Sequence, residues 1–62
     1  MPIITLDGGT LNKEQKAELV RQFTESAHQV MGIRKEAFVV IIRENPAENI
    51  GVGGELLADK QK

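Results

Sequence analysis

The residues able to do chemistry in this 62-residue chain are Pro2, the lone His28, the run Gly51-Val52-Gly53-Gly54 and a set of interspersed charges. Pro2 starts a strand awkwardly, with φ fixed and no N–H to give to a sheet. Either it fills the first strand position, where proline is tolerated, or removal of Met1 exposes its nitrogen as a secondary amine. The residues alone leave both readings open. His28 sits at the edge of a helical stripe, where one histidine serves the surface or the packing, and no chemistry is assigned to it. The G-x-G-G run is not a dinucleotide fingerprint, because no long helical pattern follows it and no acidic residue lies some 20 positions further on. The phosphate-loop lysine is missing as well, so the run reads as a structural arm.

Composition narrows the remaining choices. With Cys 0 and His 1, disulfides are excluded and a zinc site, which needs about four ligands, has no donors; no metal is expected. Eight Lys and Arg stand against nine Asp and Glu, without blocks, and Phe23 and Phe38 are the only aromatics. A nucleic-acid binder would want a basic stripe or a stacking platform, so no nucleic-acid partner is expected. A compact ribbon-helix-helix DNA-binding dimer has a similar size but would need a basic first strand, and Ile4-Thr5-Leu6-Asp7 carries only an acid. The first twenty residues lack a signal-peptide pattern, and no apolar run approaches the roughly 20 residues of a membrane span. The expectation is a cytoplasmic protein with no membrane partner.

The elements that must position these residues are short. Ile3–Leu6 reads as a strand running into a turn at Asp7-Gly8-Gly9. Asn12, with Gln15 three positions later, has the layout of a capping box. From it a helix is expected over Lys13–Met31, with Leu19, Val20, Phe23, Ala27, Val30 and Met31 as its apolar stripe and Gly32 as its stop. Arg21 and Glu25 stand at i and i+4 on the polar side. Phe38–Arg43 reads as a second strand, with Phe38, Val40 and Ile42 on one face and Val39, Ile41 and Arg43 on the other. Pro46 ends it, Gly51, Gly53 and Gly54 suit a small hairpin, and Asp59–Lys62 reads as a polar tail.

Together these predict a single α/β domain over residues 1–62: one βαβ unit with parallel strands, followed by a glycine-rich hairpin. A domain this small buries only about 60% of its unfolded surface. One helix covers one sheet face, so the face bearing Val39 and Ile41 needs another subunit, and oligomerisation through the sheet is expected.

Pro2, the capped helix, the strand Val39–Ile42 and Gly51-Val52-Gly53-Gly54-Glu55-Leu56 occur together in one short chain. In this combination the sequence resembles the 4-oxalocrotonate tautomerase family over its whole length. The resemblance implies a cofactor-independent isomerase in which Pro2, freed by loss of Met1, is the general base. Its substrates would be enol or dienol 2-hydroxy acids, converted to keto acids. It also implies a hexamer, a trimer of dimers, whose active sites are shared between subunits. Burial among Ile3, Ile50 and Val52 would lower the pKa of the Pro2 amine and enlarge its free-base fraction.

The sequence departs from the family at two informative places. The best-known member uses two arginines and a phenylalanine in its pocket, and the aligned positions here are Leu11, Val39 and Ile50. Arg43, Arg34 or Lys35 from another subunit is then the candidate cation, with backbone N–H groups of Gly8 and Gly9 as oxyanion donors. A pocket lined by Leu11, Val39, Ile50 and Val52 suits monocarboxylates better than 2-hydroxymuconate-type diacids. The alternative reading is a structural or interaction protein on the same scaffold, its catalysis decayed with the arginines.

Overall fold

Asn12 closes the first loop and opens the helix. Its side chain accepts the Gln15 N–H at 2.8 Å while the Gln15 side-chain oxygen accepts the Asn12 N–H at 3.1 Å, so the predicted capping box forms. Helix α1 runs Lys13–Met31 and stops at Gly32, whose φ of 71° is the left-handed conformation that a helix exit requires. The computed structural model describes residues 1–60. In it α1 connects strand β1 (Ile3–Gly8) to strand β2 (Val39–Glu44) and packs against β2. The strands are parallel, in register from Ile3 opposite Val39 to Gly8 opposite Glu44, as the βαβ reading predicts.

Both strands depart from their expected limits. β1 continues through Asp7 and Gly8, which the sequence suggested as turn, and the bend falls on Gly9 alone. The partner strand explains the extension, since the Asn45 N–H donates to the Gly8 carbonyl at 2.7 Å and carries the pairing one step further. β2 starts one residue late because Phe38 closes a 3₁₀ turn over Lys35–Ala37, its N–H bonded to the Lys35 carbonyl. The alternation survives intact. Phe38, Val40 and Ile42 are half-buried, whereas Ile3, Val39 and Ile41 remain 56%, 36% and 37% exposed.

The helix stripe is narrower than its periodicity suggested. Leu19, Phe23 and Ala27 are half-buried, but Val20 and Met31 are exposed and Val30 is 86% exposed. Length supplies the reason: 19 helical residues span about 28 Å, against about 20 Å for a six-residue strand, so the end of α1 overhangs the sheet. The Arg21–Glu25 pair is replaced by two others. Arg21 pairs with Glu18, and Glu25 pairs with Lys35 on the turn after the helix. His28 is half-buried, and its Nδ1–H donates to the Ile33 carbonyl at 2.7 Å, which ties the helix exit to the following loop.

After β2 the chain makes a 3₁₀ turn at Ala47–Asn49 and then a hairpin of β3 (Gly51–Val52) and β4 (Glu55–Leu56). Gly53 and Gly54 connect the strands at φ 61° and 85°, the two positive values of a type I′ turn. The expected polar tail from Asp59 begins instead as a helical turn, α2 (Leu57–Lys60), and Lys60 Nζ donates to the Val52 carbonyl at 3.3 Å. Gln61 and Lys62 lie outside the described residues.

None of the described residues is fully buried. The radius of gyration is 15.1 Å, whereas a compact chain of this length would have about 11 Å. The βαβ unit and its hairpin therefore form an elongated protomer with its apolar sheet face open. No helix among the described residues is long and apolar enough to cross a membrane.

Candidate active site

Pro2 stands at the head of β1, half-buried, with its carbonyl accepting the Val39 N–H at 3.0 Å. Its nitrogen carries Met1, which is 85% exposed. The ladder thus fixes the carbonyl end of Pro2 and leaves the nitrogen end outside the sheet. Of the other sequence-predicted site residues, Val39 is the one beside it, opposite Ile3 in the register.

The remaining candidates lie elsewhere. Gly8 and Gly9 are six and seven residues along the chain from Pro2, about 20 Å at strand rise, so within one chain they cannot hold an oxyanion formed at Pro2. Gly8 belongs to the ladder, with its carbonyl taken by Asn45. Arg43 faces Asp7 across the strands at 3.8 Å and is well exposed, an ion pair that solvent leaves weak. Lys35 is committed to Glu25. Val52 is exposed on the hairpin.

At the end of the sheet opposite Pro2 there is a cavity of about 240 Å³. Pro46, Ala47, Ile50 and Leu57 supply its apolar wall, and Gly9, Thr10 and Asn45 its polar side. The wall depends on the chain folding back: the Ile50 N–H bonds the Ala47 carbonyl at 3.2 Å, and the Leu57 N–H bonds the Ile50 carbonyl at 2.8 Å. The hairpin between Ile50 and Leu57 makes that second contact available. Ile50 and Gly9 are therefore brought together here, while Pro2 and Val39 form a separate group at the other end.

The polar side of the cavity is held by a clasp that sequence spacing does not reveal. Glu44 at the end of β2 pairs with Lys16 Nζ at 2.7 Å and accepts the Leu11 N–H at 2.9 Å. The loop Gly9–Leu11 is thereby tied to both the sheet and the helix. The Lys16 hydrogen bond, then the Leu11 N–H, holds the Glu44 carboxyl below its ordinary value. Leu11 thus sits half-buried next to the cavity rim, anchored through its backbone. Sequence reasoning missed Thr10, Asn45, Pro46, Ala47 and Leu57 as lining residues. The one local signal was Asn45-Pro46, a dipeptide that marks a turn and conveys nothing about a pocket.

This order of strand, helix, strand and hairpin has well-matched relatives. The family model described as "Tautomerase enzyme" matches residues 2–60, beginning on Pro2. The chain belongs to the tautomerase family. A probable tautomerase of Campylobacter jejuni is 39% identical over 57 residues, covering 89% of this chain and 84% of the relative. The tautomerase fold also matches the solved structure of DmpI from Archaeoglobus fulgidus, at TM-score 0.83 and 40% identity over 94% of this chain and all of that one. TomN, a 4-oxalocrotonate tautomerase homologue of the tomaymycin biosynthetic pathway, superposes at TM-score 0.89 with 31% identity, over 97% of this chain and 94% of its own. The small α/β fold and the membership expected from the sequence are both met.

Proposed function

We propose that the chain is a cofactor-independent keto–enol tautomerase of the 4-oxalocrotonate type, a cytoplasmic isomerase with Pro2 as general base after removal of Met1. The Pro2 nitrogen accepts the hydroxyl proton of an enol or dienol 2-hydroxy acid. The electron pair of the broken O–H bond forms the carbonyl, the enol π electrons move to carbon, and the same nitrogen returns the proton there. Atoms and electrons balance without a co-substrate.

One observation carries this reading. Pro2 is the first residue matched by the family model, and it is held by its carbonyl at the head of β1 with its nitrogen bearing only Met1. An α-amino group ordinarily titrates near 7.7 to 8.0, and apolar surroundings lower that value, so the free base grows at neutral pH. Ile3 and Val39, next to Pro2 in the ladder but exposed in the single chain, would supply such surroundings once another subunit covers them, with Ile50 from its cavity completing them. The separation of Pro2 from the cavity among the described residues fits a site shared between subunits, which the family resemblance implies together with a hexamer built as a trimer of dimers. The exposed Ile3, Val39 and Ile41 face supports assembly through the sheet.

Pro2→Ala, prepared with loss of Met1 verified by intact mass, tests the reading. Ketonisation of an arylenolpyruvate and of 2-hydroxymuconate should fall by roughly 10² to 10⁴. An unchanged rate would instead favour a structural or interaction protein, a second reading that rests on Leu11 and Val39 standing where the resemblance leads one to expect arginine.

A further inference from the structure

The cavity at the far end of the sheet is lined by two polar side chains with hydrogen-bonding capacity to spare, Asn45 and Thr10. Asn45 is half-buried there, and its backbone N–H already satisfies the Gly8 carbonyl at 2.7 Å. Its side-chain Nδ2 reaches that same oxygen only at 3.4 Å, a long bond to an acceptor already well served. An amide nitrogen has two hydrogens, so at least one is left for a ligand, and Oδ1 is an acceptor beside it. Thr10 adds a hydroxyl to the lining, and Ile50, Pro46 and Leu57 give it apolar surface. The nearby cations are Lys16, paired with Glu44, and Arg43, which meets Asp7 only at 3.8 Å and stays exposed.

We propose that Asn45 is the specificity-determining residue of the tautomerase pocket, binding the 2-oxygen of the substrate by a neutral amide. This rests on the reading above, in which the Pro2 of a neighbouring subunit completes the cavity. The carboxamide serves both tautomers, because Nδ2 donates to a lone pair of the 2-oxygen, present in the enol hydroxyl and in the keto group alike, and leaves the hydroxyl proton to Pro2. Unlike a guanidinium, it does so without charge. The substrate class that fits is a 2-hydroxy enol whose distal end is uncharged and apolar, lying against Ile50 and Leu57. A distal carboxylate would meet that apolar lining, which includes no Lys or Arg.

Asn45→Leu and the isosteric Asn45→Asp test the assignment, with arylenolpyruvate and 2-hydroxymuconate as probes and Pro2→Ala alongside. Both variants should lose about 10²-fold in kcat/KM on the arylenolpyruvate, the scale of one positioned donor to a developing oxyanion. Asn45→Asp keeps the volume and loses the donor, so it serves if Asn45→Leu does not assemble. Fold and assembly are checked by circular dichroism and light scattering. If Pro2→Ala abolishes turnover while folded Asn45 variants stay within twofold of the parent, the Asn45 assignment is overturned and the proline reading stands. If Pro2→Ala leaves turnover intact, the proline reading is overturned, and with it the site to which Asn45 was assigned. A parent that prefers 2-hydroxymuconate by more than tenfold also overturns the neutral pocket.

Discussion

The backbone bond from Val39 to Pro2 sets position 39 beside the proposed base. Valine there adds apolar surface and no charge. Val39→Arg would set a guanidinium beside the Pro2 amine, and a charge-assisted bond to a second carboxylate is worth roughly 1.5 to 3 kcal/mol. Diacid turnover should therefore rise about tenfold or more, with little change for a monoacid, as side-by-side kinetics would register. Glu44 acts on the opposite end. Its folded-state pKa is depressed by Lys16 and then by the Leu11 N–H, so its stabilising contribution is present above the ordinary value of 4.5 and lost as pH falls through the lower folded value. Glu44→Gln should be less stable at neutral pH and should show a flatter loss of stability below pH 4.5, followed by circular dichroism across an acid titration. Glu18, pulled down to about 2 by its hydrogen bonds to Arg21 and Gln22, lies on the exposed helix face away from this clasp.

At the scale of elements, α1 was legible to the residue because its limits are written locally. Asn12, Gln15 and Gly32 satisfy or release backbone groups within one turn of the helix ends, and no distant contact is needed. Asn12→Ala should cost about 1 kcal/mol, and Gly32→Ala about 1 to 2 kcal/mol because of its positive φ, both measured by denaturant unfolding. Strand limits were less legible, since a ladder runs as far as its partner does: Gly8 became strand only because Asn45 reaches its carbonyl. The stripe on α1 misled at Val30 for a related reason, as periodicity gives a direction but not whether a sheet lies opposite. The cavity as a unit was not legible, although Gly9 and Ile50 of its lining stood among the expected site residues. Thr10, Asn45, Ile50 and Leu57 come from four separate segments, and only the backward fold of the hairpin brings the last two into contact.

For the whole molecule the governing fact is the lack of any fully buried residue among those described. Folding stability is a small surplus of burial over conformational entropy, and a protomer with its sheet face open has little to set against that entropy. Assembly and folding should then be one event. On dilution, helical signal by circular dichroism and molecular mass by light scattering should fall together, and the thermal midpoint should rise with protein concentration. Ile41→Lys, placed on the exposed sheet face, should move both transitions to higher concentration. A folded monomer that persists at micromolar concentration would contradict this.

The parallel pairing of β1 with β2 leaves each strand with an unpaired side. Such edges carry rows of backbone donors and acceptors and invite uncontrolled growth by strand addition. Val39 through Ile42 is an uninterrupted β-branched run, the composition most prone to cross-β stacking. Pro46 stands two residues after β2 and has no backbone N–H to give to an incoming chain, whereas Pro2, once Met1 is lost, would carry an amine N–H. The residue that limits strand addition therefore sits at the exit of β2. Pro46→Ala should raise fibril formation, read by thioflavin fluorescence, and Pro2→Ala should leave it unchanged.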